Sequence, residues 1–335
     1  MDRRKENSVF FALFVGTLIV MVCNSTFAWN LSVIQVYGHS FTPNSLASFI
    51  SAADQFQTEV NLIKNSLINN NNTNMAQKHA DEANSIFYWE LMSEIAERDK
   101  QVSAELKSEI DSLRDISTSL TDSNINSTSE ISDAKYDQLL QQTNLLVSKI
   151  NVNVNSILNT TISQKGTEDP NPFNQVLSFL SNVFAGQESN TPQSIQSMRF
   201  VELLDEVLRN YGDAYAVNYD MTDMSNMANM NRSSDMMMDH GMTGMDMNGN
   251  NEDIINLSNY QSAKGLTERL EEIFVNEIKP LMESNEMSIY SNNIEKGLTQ
   301  LQHSIENKAP PMDVMMVVHS QIHPSLIEAF DLQIT

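Results

Sequence analysis

The chain has 335 residues, of which 41% are apolar, and a net charge of −23. This length and apolar content suit one large domain or two of ordinary size. The 43 acidic residues against 20 basic ones exclude nucleic acid as an expected partner and favour cations, since such a surface repels phosphate groups. With only 8 Pro and 10 Gly, the composition favours long helices over a β-sandwich or a chain with many turns.

Residues 1–28 have the pattern of a secretory signal peptide. Three basic residues precede an apolar run from Val9 to Cys23, which is shorter than the roughly 20 residues that a transmembrane helix needs. Small residues around Ala28 offer a cleavage site, and an uncleaved N-terminal anchor is the alternative. Both predict an extracytoplasmic protein, either secreted or held at the cell surface.

Cys23 is the only cysteine and lies inside this segment. The exported chain would therefore have no disulfide, and its stability must come from packing. Any chemistry with a soft metal would have to use methionine and histidine instead of thiolate.

The region 42–163 has the pattern of an antiparallel helical bundle. Thr42 and Pro43 suit a helix start, as a capping hydroxyl followed by proline at the first helical position. The charged patch 97–100 is either a break or a solvated turn. Connections between the helical stretches are short, which favours antiparallel neighbours. Apolar residues at spacings of three and four define the first seam: Leu46, Phe49, Ala53, Phe56, Val60, Ile63 and Leu67.

The region 172–335 is predicted to be helical as well. It follows Gly166–Pro172, a stretch with two prolines and no apolar residue. Pro280 is expected to kink or shorten its helix. No strand alternation persists in the chain, so we predict an all-α protein of about eight or nine helices in antiparallel bundles. The seams are Phe200, Leu203, Leu204, Val207, Leu208 and Tyr211; Leu266, Leu270, Ile273, Phe274 and Leu281; Ile294, Leu298, Leu301 and Ile305; and Val314, Val317, Val318, Ile322 and Phe330.

A loop at 218–251 interrupts this region and contains a methionine tract, residues 221–247. Half of the 20 methionines of the chain lie in the tract. The Asn, Ser, Asp and Gly residues between them disfavour a helix, so we predict a disordered loop that exposes thioethers to water. The predicted metal ligands are Met221, Met224, Met227, Met230, Met236, Met237, Met238, His240, Met242, Met245 and Met247.

These side chains predict a copper site. Thioether sulfur is a soft donor that selects Cu(I), and imidazole binds copper in either oxidation state, so Cu(I) is the preferred ion and Cu(II) a second one. Thioethers need no deprotonation and form no disulfides. The alternatives are an oxidant sink and a methionine surface that binds a partner.

The segment Met238–Met247, MDHGMTGMDM, resembles the Met/His-rich tracts of exported copper-resistance proteins and multicopper oxidases. In those families the tract gathers copper outside the cytoplasm, and the resemblance implies the same role here. No cupredoxin-like pattern accompanies the tract. The helical pattern and the HSQIHP segment that begins at His319 are similar to those of uncharacterised exported proteins of copper-dependent archaea.

His319, His323 and Met315 form a second candidate metal set. On a regular helix the two imidazoles and the earlier thioether would share one face. The alternative is a pair of ordinary helix-end histidines, with Pro324 turning the imidazole of His323 away. Ser320 stands where a zinc protease motif needs glutamate, so that activity is not expected.

Other combinations of histidine and glutamate give a weaker pattern. His79 with Glu82, and Glu90 with Glu94, lack the paired Glu-x-x-His motifs of a di-metal bundle. We expect them on a solvated helical face.

We therefore expect an exported, non-enzymatic, helical protein that binds copper for acquisition, buffering or delivery. Its helical body would be a scaffold or a docking surface for a membrane or envelope protein. The alternative is a structural or interaction protein of the cell envelope with an incidental methionine loop, and a metal-dependent hydrolase of helical fold comes third.

Overall fold

The computed structural model describes six ranges of the chain: 43–68, 72–125, 133–162, 192–223, 254–282 and 287–332. The predicted signal segment 1–28 lies outside the described residues. So do His240 and every methionine of the tract after Met221.

The described ranges are helical and contain no strand. In these ranges, ten α-helices, three π-turns and one 3-10 turn join end to end into eight continuous helical segments. This confirms the all-α prediction. The helices are α1 (Pro43–Ile68), α2 (Thr73–Ile86), α3 (Met92–Arg98), α4 (Lys100–Ile125), α5 (Asp133–Ile162), α6 (Pro192–Tyr215), α7 (Leu257–Ile273), α8 (Ser288–Glu306), α9 (Pro311–Val317) and α10 (His323–Phe330). Three π-turns are named π1 (Phe87–Leu91), π2 (Phe274–Ile278) and π3 (Val318–Ile322), and a 3-10 turn covers Lys279–Met282.

The apolar seams form two clusters. The first extends from Leu46 to Ile195 and the second from Phe200 to Leu332. Helix α6 contributes to both, and Met198 packs against both. All seven seam residues of α1 are at most 5% exposed. The seam residues predicted beyond residue 192 are buried too, except for Leu281 and Phe330, which are half-buried.

A buried ion cluster joins α1, α6 and α7. The carboxylate of Asp54 is fully buried and accepts hydrogen bonds from Arg199 (2.6 and 3.0 Å) and from Arg269 (2.8 and 3.0 Å). Arg199 also donates to Glu277 at 2.6 Å. Burial alone would raise the pKa of Asp54, but the two guanidinium groups lower it below its ordinary value.

The charged patch at 97–100 is a helix break. Asp99 has extended backbone (φ −147°, ψ 99°), and its Oδ1 accepts hydrogen bonds from the backbone N–H groups of Gln101 (2.9 Å) and Val102 (3.0 Å). The carboxylate therefore caps α4 and satisfies amides that have no partner within the helix.

Pro280 and Pro324 each follow a π-turn. A proline removes the donor that would bind the carbonyl four residues earlier, and in both cases that carbonyl lies in the π-turn. The wider turn accommodates the proline ring without ending the helical path. At Pro280 the helix changes to a 3-10 turn, which is the local distortion that the sequence predicts.

Within these ranges, no helix is both long enough and apolar enough to cross a bilayer.

Candidate metal centre

His319 and His323 lie side by side in the second apolar cluster. Their ring centroids are 5.1 Å apart, at an interplanar angle of 66°. The helix is not the regular one that the sequence suggests, because His319 lies within π3 and His323 begins α10. The two imidazole rings nevertheless remain in contact, as their separation shows. The alternative in which Pro324 turns the imidazole of His323 away from the pair is therefore wrong.

The histidine pair is buried. His319 is 5% exposed and His323 is 4% exposed. Met315, one turn earlier in α9, is completely buried in the same cluster. These are core side chains rather than solvated ones at a helix end.

Met221 is also a core residue, which corrects the prediction of an exposed thioether. It lies in a turn just after α6 and is 2% exposed. Its Sδ lies 3.0 Å from the position that a Cβ would take at Gly212, so the sulfur fills the gap left by the absent side chain. Met221 therefore offers its backbone, and not its sulfur, to the site.

The backbone of Met221 determines which ring nitrogen of His319 carries the proton. Nε2 of His319 lies 2.8 Å from the Met221 carbonyl oxygen, which can only accept, so Nε2 is the donor. Burial lowers the pKa of His319 below its ordinary value, and the ring is neutral. Nδ1 consequently has a free lone pair, and this buried atom has no hydrogen-bond partner.

Asp205 on α6 faces His323. Its Oδ1 lies 3.7 Å from Nε2 of His323, which is too far for a hydrogen bond. Both atoms are buried without a partner, although the Asp205 side chain as a whole is 25% exposed. Burial raises the pKa of Asp205 to about 7, while burial and the neighbouring His319 lower that of His323 to about 3.

Unpartnered polar atoms are concentrated at this point. Five buried side-chain oxygen or nitrogen atoms in the described part of the chain have no hydrogen-bond partner, and three of them belong to His319, His323 and Asp205. Buried polar groups are normally satisfied, so an exception calls for an explanation such as a bound ion or water. However, no group of three or more His, Cys, Asp and Glu side chains among the described residues is already arranged to hold a metal ion.

The surroundings of the pair are acidic. Asp220 and Asp223 favour the charged form of His319 through their fields. Glu202 and Glu206 act on Asp205 in the same sense as Asp220, and Arg209 opposes them. The local excess of carboxylates favours a cation.

The sequence gives no signal for Asp205. An acidic residue beside the buried seam of α6 has the same appearance whether it faces solvent or a histidine from a distant helix. Asp205 comes to face His323 only because α6 packs against α10 in the folded protein.

His79 is a second buried histidine, which corrects its assignment to a solvated face. It is 1% exposed. Nδ1 donates to Glu59 at 2.8 Å and Nε2 donates to Gln261 at 2.9 Å. Burial alone would lower its pKa, but the bonds to Glu59 and Gln261 raise it above the ordinary value. Because both nitrogens are engaged, His79 is a structural cation and has no lone pair for a metal. Glu82 and Glu90 are exposed, as expected.

No family model, curated protein or solved structure matches the chain, so the ligand of the candidate centre is inferred from the residues themselves.

Proposed function

We propose that the protein binds copper outside the cytoplasm, chiefly as Cu(I) in the methionine tract, with the His319–His323 pair as a second copper site. It would serve copper acquisition, buffering or delivery and would have no catalytic activity. The observation that carries the proposal concerns His319. Its buried Nδ1 has no hydrogen-bond partner, while its Nε2 donates to the carbonyl of Met221.

This arrangement is typical of a metal-binding histidine. Such histidines donate the second ring N–H to a carbonyl or carboxylate, which orients the ring and leaves the first nitrogen free for the metal. Imidazole is a good copper ligand in both oxidation states. The pair is buried among apolar side chains, so a free lone pair there is not satisfied by bulk water.

The same hydrogen bond links the histidine pair to the start of the methionine tract. Three more methionines follow within nine residues of Met221 in the sequence. At the far end of the tract, the backbone N–H groups of Ile255 and Asn256 donate to the carbonyl of Ala214 in α6, at 2.8 and 3.0 Å. The described residues on either side of the stretch 224–253 are thus both hydrogen-bonded to the second half of the chain, Met221 to His319 and Ile255 to α6.

The remaining parts of the proposal come from the sequence. Residues 1–28 would direct export or anchor the chain, and the net charge of −23 would draw cations and repel nucleic acid. The helical body would dock on a membrane or envelope protein that supplies or receives the metal.

A Cu(I) titration of the purified protein against a chromogenic Cu(I) chelator tests the proposal. The comparison is a variant in which the nine tract methionines from Met224 to Met247 are leucines, since leucine conserves volume and removes sulfur alone. We expect the variant to bind at least one Cu(I) fewer per chain, with an unchanged helical circular dichroism spectrum. Equal Cu(I) uptake by both proteins would refute the proposal and leave the envelope-protein interpretation.

A further inference from the structure

We propose that Asp205, His323 and His319 form a separate site for Cu(II) within the second apolar cluster, so that the protein holds the two oxidation states of copper at different places. The proposal rests on the proposed copper-binding function, since it uses the same histidine pair. It adds Asp205 as a ligand and assigns an oxidation state to the buried site.

The first argument is the position of the unpartnered atoms. His319 Nδ1, His323 Nε2 and Asp205 Oδ1 are all buried and have no hydrogen-bond partner. They belong to three side chains that contact one another in series: the imidazole rings are 5.1 Å apart, and Oδ1 lies 3.7 Å from His323 Nε2. An ion among them would satisfy all three atoms at once.

The second argument is the separation of Asp205 and His323. Cu(II) favours tetragonal coordination, in which two neighbouring ligand atoms about 2 Å from the metal and about 90° apart lie roughly 2.8 Å from each other. The observed 3.7 Å between Oδ1 and Nε2 is longer than this and longer than a hydrogen bond. The two atoms therefore face each other across a gap that closes when the Asp205 carboxylate moves toward His323.

The third ligand atom, Nδ1 of His319, is not yet within reach of an ion held by the other two atoms. The three side chains are not yet arranged as a complete coordination group, so binding requires a local adjustment. The ring of His319 is oriented by its bond to Met221. Asp205 is 25% exposed and has more freedom, so we infer that its carboxylate moves with the metal until Nδ1 of His319 completes the set.

The fourth argument is the choice of ion. Two imidazoles and a carboxylate are harder donors than thioethers, and they favour Cu(II) over Cu(I). The acidic neighbours Glu202, Glu206 and Asp220 outnumber Arg209, and their summed field favours a doubly charged ion over a singly charged one.

The test is a Cu(II) titration of the whole protein, with glycine as competing chelator and electron paramagnetic resonance as a second measurement. Asp205→Asn removes the proposed carboxylate ligand. Asp213→Asn is the matched control, because it makes the same carboxylate-to-amide change at an exposed position about two helical turns later on α6. Cu(I) uptake and thermal unfolding without metal are measured for each protein.

We expect Asp205→Asn to raise the Kd for Cu(II) at least about 10-fold, since loss of even an outer partner of a metal ligand has that effect. Asp213→Asn should stay within about twofold of the wild type, and both variants should take up Cu(I) normally. His323→Gln should remove one nitrogen coupling from the Cu(II) spectrum.

Unchanged Cu(II) affinity in Asp205→Asn, or an unchanged spectrum in His323→Gln, would overturn the inference. Normal Cu(I) uptake in the same samples would then show that the proposed function stands without it. The opposite result, loss of Cu(II) in Asp205→Asn with no Cu(I) uptake even by the wild type, would support the buried site and refute the function of the tract.

Discussion

The Nε2–H group of His319 donates to the carbonyl oxygen of Met221 over 2.8 Å. This bond connects π3, near the end of the chain, to the first methionine of the tract, 98 positions earlier. It has two effects. It leaves Nδ1 of His319 without a proton, and it fixes the backbone at the point where the tract begins. The methionine is therefore a structural partner of the candidate site, and its sulfur belongs to the core.

Substitution of Met221 tests this division of roles. Met221→Leu should leave the number of bound Cu(I) ions unchanged and cost less than about 1.5 kcal/mol of unfolding free energy, because it conserves volume. Met221→Ala should cost about 2–5 kcal/mol by leaving a cavity beside Gly212. Urea unfolding and the Cu(I) titration measure the two effects. If Met221→Leu binds one Cu(I) ion fewer than the wild type, the sulfur of Met221 is a copper ligand after all.

The ion cluster around Asp54 predicts acid sensitivity. The pKa of Asp54 is lowered in the folded protein, so its stabilising contribution is present above the unfolded value of about 3.9. That contribution is lost as pH falls from about 3.9 through the lower folded pKa. Asp54→Asn should cost about 3–5 kcal/mol near neutral pH, since it leaves two buried guanidinium groups without their carboxylate.

Urea unfolding of both proteins between pH 2 and 7 measures this effect. The free-energy difference between wild type and Asp54→Asn should shrink as pH falls below about 3.9. If this free-energy difference stays constant down to pH 2, the stabilising role of the ionised Asp54 carboxylate is contradicted.

The pair of His79 and Glu59 has the opposite pH dependence. The pKa of His79 is raised in the folded protein, so its contribution is fully present below the unfolded value of about 6.5. It is lost as pH rises above about 6.5 and through the higher folded pKa. His79→Gln should therefore destabilise more at pH 6 than at pH 9. Urea unfolding of both proteins at the two pH values measures the effect, and an equal loss at pH 6 and pH 9 would contradict the His79–Glu59 ion pair.

The helices were predictable because burial imposes a repeating pattern on the chain. Every third or fourth residue of α1 from Leu46 to Leu67 faces the core, and this spacing is visible without a structure. The contacts of Asp54, His79 and Asp205 were not predictable, since a polar residue beside a seam has the same local pattern in solvent or in the core. The burial of Met221 depends on the gap at Gly212, which arises only when the chain turns back after α6.

Gly297 on α8 sets the distance between that helix and π3. A Cβ added at Gly297 would lie 2.5 Å from Cγ1 of Ile322, which no ordinary contact permits. Gly297→Ala should therefore cost about 1–3 kcal/mol by overpacking, less the gain of about 0.5–1 kcal/mol from helix propensity. It should also weaken Cu(II) binding, because Ile322 immediately precedes His323.

A double-mutant cycle with Ile322→Ala separates packing from other causes. The alanine at 322 removes the atom that the new Cβ would meet, so the double variant should lose less stability than the sum of the two single variants. If the losses of unfolding free energy in the two single variants simply add, the strain of Gly297→Ala does not come from contact with Ile322.

The tract predicts copper uptake that depends weakly on pH. Thioethers have no proton to lose before they bind a metal, unlike thiolates or imidazoles. Cu(I) affinity, measured by competition between pH 5 and 8, should therefore stay nearly constant. A steep fall in Cu(I) affinity toward pH 5 would assign the ion to histidine. In that case His240→Gln and His319→Gln would identify which imidazole holds it, because the first lies in the tract and the second in the core.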